Sequence, residues 1–193
     1  SLVDTFRYVV RGCENYDGIA FSNEFVFYEG YPVKIPAKEF VTYYMDEALG
    51  LLDNDYIAGA ALYTITEVNG TTATATQLEI TYPEPPLTQI APANTPLLIY
   101  NSSDDTLEIK LIPTTTSATV SHYSKFTGVL EPTTLYGDYG FYAFNGKQFV
   151  YVRRDMTLPA NKCCLKIENN SGGLVSGARA INIVFEEATG IQA

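Results

Sequence analysis

Two Asn-Gly pairs, Asn69-Gly70 and Asn145-Gly146, each stand between runs of strand-forming residues, and they constrain this chain more than any other feature. Asn and Gly both tolerate positive φ, so the pair is a strong short-range hairpin signal. The first lies between residues 61–68 and 71–80, the second between 139–144 and 147–153. In the first arm after the turn, Thr72, Thr74 and Thr76 alternate with Ala73, Ala75 and Gln77. A period of two puts the hydroxyls on one face and the small residues on the other. Further strand-like runs occupy residues 6–11, 24–28, 40–44, 97–100, 106–112, 163–168 and 180–185. The best helical candidate, residues 46–52, is too short for more than one turn. Residues 82–96 hold Pro83, Pro85, Pro86, Pro92 and Pro96, which cannot sit in a central strand, so a loop is expected there. Residues 113–135 read as a long loop with some strand, and Asn169 to Gly173 (NNSGG) as a turn cluster. Short strands at this spacing argue for an all-β sandwich or barrel.

Hydrophobic residues make up 46% of the 193 and charged residues 18%, a balance that excludes a disordered chain. The net charge of −10 repels phosphate, so neither nucleic acid nor an anionic membrane surface is an expected partner. Arg153-Arg154 is the only basic cluster and reads as two solvated charges of a strand. No apolar run is long enough for a transmembrane helix. The chain opens at Ser1 without Met, which leaves room for a processed leader and is compatible with export.

Three cysteines, Cys13, Cys163 and Cys164, do not make a disulfide framework. Neighbours in a strand point to opposite faces, so Cys163 and Cys164 are not expected to pair with each other. Cys163 shares its face with Leu165 and Ile167 and reads as a small buried hydrophobe. A bridge from Cys13 to either one stays open.

His122 is the only histidine, and no local signature around any cysteine supports a Cys-His pair. A zinc site needs three or four ligands, and two adjacent strand cysteines cannot both face one ion. The carboxylate neighbours Asp46-Glu47, Asp53 with Asp55, Asp104-Asp105 and Glu186-Glu187 read as solvated charges. Asp53-Asn54-Asp55 lacks the glycine and the distal glutamate of a calcium loop. No phosphate-binding glycine loop or nucleophile elbow is present. The 15 tyrosines are the feature with functional reach, since each ring offers a flat apolar face and a hydroxyl. Tyr also fills half-buried sheet positions. Tyr43-Tyr44 and Phe141-Tyr142 must divide between two faces, which sends at least one of each pair inward.

One internal echo is visible. Pro92-Ala93-Asn94, followed by Leu98 and Tyr100, recurs as Pro159-Ala160-Asn161, followed by Leu165 and Ile167. Each is a turn that feeds a strand.

Phe6-Arg7-Tyr8-Val9-Val10-Arg11, a polar loop with Gly12, and Ser22-Asn23-Glu24-Phe25-Val26-Phe27 together resemble the last two strands of a fibronectin type III domain. Residues 34–191 resemble a β-rich module found towards the C-termini of large exported proteins of Bacteroides and Prevotella. The resemblance rests on Phe40-Val41-Thr42-Tyr43-Tyr44-Met45-Asp46-Glu47-Ala48-Leu49, the two Pro-Ala-Asn turns, Gly146-Lys147, Tyr151 and a closing Ala178-Arg179-Ala180-Ile181-Asn182-Ile183-Val184-Phe185 that runs on to Thr189-Gly190-Ile191. Cys163-Cys164 stands where the module more usually has Ala-Tyr. Such modules accompany peptidases, glycosidases, leucine-rich repeat proteins and adhesins, and are generally of unknown function. In relatives the Thr-Gly-Ile ending often leads into a sorting tail, which would lie past Ala193.

The expectation is an all-β, mostly antiparallel sandwich-type module over residues 33–193, preceded by a fibronectin-like hairpin over residues 1–32. It is expected to be a non-catalytic accessory or adhesion module, extracellular or at the cell surface, with no cofactor, no metal and no assigned ligand residues. Glycans or other surface proteins are the expected partners. The alternative is a carbohydrate-binding module that uses exposed tyrosines. An enzyme would require His122 or a carboxylate pair in a deep pocket. A line of tyrosine rings on one solvent face separates these readings.

Overall fold

The computed structural model describes residues 6–11, 22–81, 86–167 and 178–186. It is all-β. Strand β1 (Phe6–Arg11) pairs antiparallel with β2 (Ser22–Phe27), forming the expected N-terminal hairpin. Then follow β3 (Tyr31–Ile35), β4 (Phe40–Tyr43), β5 (Leu49–Leu52), the one-turn helix α1 (Asp53–Ile57), β6 (Ala60–Asn69), β7 (Thr72–Gln77), β8 (Leu87–Ala91), β9 (Leu97–Asn101) and β10 (Leu107–Pro113). The rest comprises β11 (Phe126–Val129), β12 (Thr133–Leu135), β13 (Phe141–Phe144), β14 (Gln148–Tyr151), β15 (Met156–Leu158), β16 (Lys162–Lys166) and β17 (Ala180–Phe185).

A four-stranded sheet, β3-β10-β5-β8, lies beside a nine-stranded sheet, β11-β16-β13-β14-β17-β7-β6-β9-β4. Val33, Ile35, Leu49, Leu51, Ile109 and Leu111 of the smaller sheet form one core with Tyr43, Leu62, Leu97 and Ile99 of the larger. This half is a sandwich. The remainder of the large sheet curls almost into a closed barrel around Phe126, Tyr142, Phe149, Leu165 and Ile181. The shared strands are therefore buried on both faces. In β9, Leu97 and Ile99 enter the first core while Leu98 enters the second, so its apolar run does not alternate. Small Ala73 and Ala75 inside β7, and a bulge in β6 between Ile65 and Glu67, help the sheet to curl. A two-stranded sheet, β12-β15, covers the outer face with Leu135 and Leu158 over Val152 and Cys164. All described strand pairs are antiparallel except β17 with β7.

Both hairpins form, with a correction to the first. Asn69 pairs with Thr72, so the linking residues are Gly70 and Thr71, and only Gly70 has positive φ (58°). That is the pattern of a type II′ turn, with glycine at its first central position. Asn145 instead accepts the N–H groups of Lys147 (3.1 Å) and Gln148 (3.0 Å) on its side-chain oxygen.

Two further expectations are corrected. Residues 49–52 are strand β5, not helix, and the single helical turn follows at Asp53–Ile57. Leu49 and Leu51 are needed in the first core, where they pair across β10, so burial overrides the local helical composition. The loop expected over residues 82–96 contains β8, because Leu87–Ala91 has no internal proline and pairs with β5. Tyr31 opens β3 and pairs with Leu111. The turn cluster at 169–173 lies outside the described residues.

Closure of the large sheet uses the Pro-Ala-Asn echo. Asn94 and Asn161 both have left-handed backbones, at φ 61° and 60°. A third copy, Pro36-Ala37-Lys38, does the same with Lys38 at φ 56°. Pro36 and Pro92 accept the N–H three residues on, from Glu39 and Thr95, at 3.3 Å. These are type II turns, whose third position prefers Asn or Gly. They deliver the chain into β4, β9 and β16. Asn94 and Asn161 then meet at one place, the exit of β4. Tyr44 N–H donates to the Asn161 carbonyl at 3.1 Å, the Asn161 side chain donates to the Tyr44 carbonyl at 3.0 Å, and Tyr44 Oη donates to Asn94 Oδ1 at 3.2 Å. Cys163 N–H donates to Thr42 Oγ1 at 3.1 Å, and Phe40 N–H to the Gly146 carbonyl at 3.1 Å. The open edge of β4 is thus covered along its length, as an otherwise unpaired edge strand requires.

Two buried amides tie the sheets together. Gln89 of β8 accepts Leu62 N–H at 2.7 Å and donates to the carbonyls of Leu62 (3.3 Å) and Leu78 (2.7 Å). Its side chain acts as a surrogate peptide group between the two sheets. Asn101 donates to the carbonyls of Ile35 (3.0 Å), Pro36 (3.2 Å) and Asp105 (2.7 Å) and accepts Ser103 N–H at 2.9 Å. Among the described residues no buried side-chain nitrogen or oxygen lacks a partner.

Candidate functional site

The five residues between β12 and β13 form a strap with two tyrosines at its surface. Leu135 pairs with Met156 at the end of the β12-β15 ladder, which sets the strap's entry. Gly137 N–H then donates to Asp155 Oδ1 at 2.9 Å, and Asp138 N–H to the Val152 carbonyl at 2.9 Å. Asp138 and Gly140 take positive φ, 62° and 77°, turning the chain back towards β13. Gly137 lies so close to the Arg153-Arg154 backbone that a Cβ there would stand 2.5 Å from the Arg153 carbonyl oxygen. The strap is therefore pinned flat on residues 152–155. Tyr136 and Tyr139 stand out from it, 55% and 69% exposed, with ring centroids 6.2 Å apart and planes at 67°. Arg153, Arg154, Asp155 and Met156, all exposed, border the strap.

Other tyrosines are used structurally. Tyr43, Tyr142 and Tyr151 are buried, and Tyr142 Oη donates to the Ala178 carbonyl at 2.9 Å. Tyr43-Tyr44 and Phe141-Tyr142 do divide between faces: Tyr43 enters the first core, Tyr44 the second, Tyr142 the second and Phe141 the outer layer. Tyr31 Oη donates to Glu47, and this bond with burial raises its pKa to about 12. Tyr63 and Tyr100 pack with Phe40 and Phe185, where Tyr100 lies 4.6 Å from Phe40 and 5.2 Å from Phe185 between centroids. The alignment of many tyrosines in one exposed row is not found among the described residues; a single exposed pair is.

The catalytic candidates are not brought together. His122 is exposed, with Nδ1 3.2 Å from the Tyr123 carbonyl, whereas Cys163 and Cys164 are buried. Burial pushes both thiols up, Cys163 most, which disfavours the thiolate a nucleophile needs. Cys163 packs with Leu165 and Ile167 as its spacing predicted, and Cys164 faces the outer layer. Both are free thiols, while Cys13 lies outside the described residues. In a Cys13→Ser background, Ellman's reagent is expected to find no thiol in the native chain at neutral pH and two in urea. A thiol that reacts before unfolding would refute this burial.

Asp46 is exposed and Glu47 is held by Tyr31. Asp53 accepts the Thr88 hydroxyl, and Asp55 accepts Lys110 N–H at 3.4 Å. Burial raises the Asp55 pKa, which the Lys110 bond partly offsets. Because Asp53, Asn54 and Asp55 lie in α1, they do not form a calcium-type loop. Asp104 pairs with Lys38 at 3.1 Å, and Asp105 contributes its carbonyl to Asn101. Glu186 is exposed; Glu187 lies outside the described residues. Among the described residues no group of three or more His, Cys, Asp or Glu side chains is arranged to hold a metal ion. A groove of about 260 Å³ lies beside α1, lined by Tyr56, Ile57, Ile80 and Leu87 with Asp53 and Thr88. No described helix is long and apolar enough to cross a membrane.

Comparison of the chain with protein-family models, with curated proteins and with solved structures gives no match.

Proposed function

We propose that this chain is a non-catalytic interaction module of an exported, surface-associated protein, and that its contact surface is the strap carrying Tyr136 and Tyr139. The exposed, pinned tyrosine pair carries this reading. Aromatic rings held at a surface without cost in loop entropy are suited to binding, because little is lost when a partner orders them. Rigid rings beside planar polar groups suit a sugar ring best, with its apolar face on the aromatic and its hydroxyls to Arg or Asp. The spacer role expected of such modules is compatible with the same surface.

The test is a broad glycan array with and without calcium, comparing the native chain with Tyr136→Ala/Tyr139→Ala. Binding to one glycan class, lost by about tenfold or more in the variant, is the expected result. Both rings are exposed, so the variant should unfold at an unchanged urea midpoint. Retained binding in the variant would exclude this surface. Silence across the array would exclude a glycan and leave a protein partner to be sought.

A further inference from the structure

We propose that the groove beside α1 binds a small organic cation, an ammonium group carried on an apolar body, with the charge held by Asp53. The groove shares no residue with the tyrosine strap, so it stands or falls independently of the reading above. The observation is a single carboxylate set among apolar side chains in a hollow of about 260 Å³. Tyr56 and Ile57 come from α1, Leu87 from β8, and Ile80 from the segment that follows β7. Asp53 and Thr88 supply polar side chains to the same lining.

The walls are fixed before any ligand arrives. Asp53 N–H donates to the Pro86 carbonyl at 2.8 Å, and the Asp53 carboxylate accepts the Thr88 hydroxyl, which ties the first turn of α1 to β8 and the residue before it. Lys110 N–H donates to Asp55 at 3.4 Å and Gln77 Nε2 to Tyr56 Oη at 3.4 Å, holding the same turn to β10 and β7. Thr81 N–H donates to the Thr88 carbonyl at 2.7 Å, which anchors the segment carrying Ile80. A Cβ on Gly50 would stand 2.5 Å from Leu87 Cδ1, so Leu87 rests on the bare backbone of β5. A site assembled in advance loses little conformational freedom on binding.

Charge complementarity selects the occupant. Asp53 makes no ion pair among the described residues, whereas Lys34, Lys38 and Lys147 are matched with Glu108, Asp104 and Glu39. Lys110 meets α1 through its backbone N–H, at Asp55. An ionised carboxylate accepts at about four positions, so the Thr88 hydroxyl leaves Asp53 room for further donors. An anion is repelled there. A neutral hydroxyl is accepted, but a bond between two charged partners is stronger than one in which a single partner is charged. Ile57, Ile80 and Leu87 offer the apolar surface that a hydrated metal ion or bare ammonium would leave unused. Drug-sized ligands occupy pockets of about 300–1,000 Å³, so this hollow suits something smaller, one ring with a short arm.

The test titrates the full chain at neutral pH with three probes of one shape, phenethylammonium, phenethyl alcohol and hydrocinnamate, and follows the methyl resonances by NMR. Phenethylammonium is expected to shift the methyls of Ile57, Ile80 and Leu87, to bind at least roughly tenfold tighter than the alcohol, and to lose that advantage as salt is added. Hydrocinnamate should leave those methyls in place. Asp53→Asn keeps an oxygen for the Thr88 hydroxyl and removes only the charge, so it should bring the ammonium down to the affinity of the alcohol. Methyl shifts elsewhere in the spectrum report whether that variant keeps the fold, and the comparison of probes on the native chain needs no variant. Equal binding of ammonium and alcohol by the native chain overturns the proposal. So does a preference that survives Asp53→Asn in the folded state. Saturation that leaves the Ile57, Ile80 and Leu87 methyls unmoved, or no binding of any probe, overturns it as well.

Discussion

Replacing Gln89 by Leu should cost about 3–4 kcal/mol of stability, among the largest effects of any single polar change in this chain. The side chain is fully buried and makes three hydrogen bonds to the backbone of β6 and of Leu78. Leucine has similar volume, so packing changes little and the loss is mainly electrostatic. Leu62 carbonyl keeps one partner, the N–H of Leu78 at 2.9 Å. Leu62 N–H and the Leu78 carbonyl lose theirs, and each orphaned buried group costs about 1–3 kcal/mol. Urea unfolding at constant m-value reads this directly. A loss below about 1 kcal/mol would mean that water or a shifted strand replaces the amide, against its complete burial.

The second large effect is expected at Gly128. A Cβ built there would lie 2.0 Å from Tyr44 Cγ and 2.3 Å from Tyr44 Cβ. The ring of Tyr44 therefore rests on the bare backbone of β11. Tyr44 also holds both Asn turns, so it cannot move without loosening the closure of the large sheet. Gly128→Ala should destabilise by about 3 kcal/mol, at the upper end of overpacking costs. In a Tyr44→Gly background the same change should cost much less, a coupling of about 1.5 kcal/mol or more in a double-mutant cycle. Additive losses would show that Gly128 is needed for some reason other than this contact.

Gln89 and Gly128 illustrate what one-dimensional reading does not reach. Gln89 stands inside the proline-rich stretch of residues 82–96, and its sequence neighbours look like loop. Gly128 sits in a stretch that reads as irregular. Both roles depend on partners distant along the chain: Leu62 for Gln89 and Tyr44 for Gly128. The same holds for Tyr136 and Tyr139. They resemble the other tyrosines in sequence, and only the docking of the strap on residues 152–155 leaves them exposed. The adjacent signals that do exist, Gly137, Gly140 and Arg153-Arg154, are too short to locate a site unaided. In the opposite sense, Asp53-Asn54-Asp55 and His122 attract attention as chemistry-bearing residues, yet the structure uses the former as helix and the latter as surface.

What the amino-acid sequence determined by itself is the set of local devices. Alternating Thr and Ala made β7 two-faced, the Asn-Gly pairs placed the hairpins, and the Pro-Ala-Asn turns placed the entries to β9 and β16. The face of Cys163 followed from its spacing to Leu165 and Ile167. These are preferences of the backbone over a few residues, and they act wherever those residues occur. The tertiary structure decided the rest. It drew Leu49–Leu52 and Leu87–Ala91 into a sheet, bent Lys38 into a left-handed turn that favours Asn or Gly, and closed β4 against residues 161–163. It also left Tyr136 and Tyr139 facing outward. Each of these outcomes is settled by burial and by hydrogen bonds between segments far apart in the chain, whose energies exceed the local preferences they override.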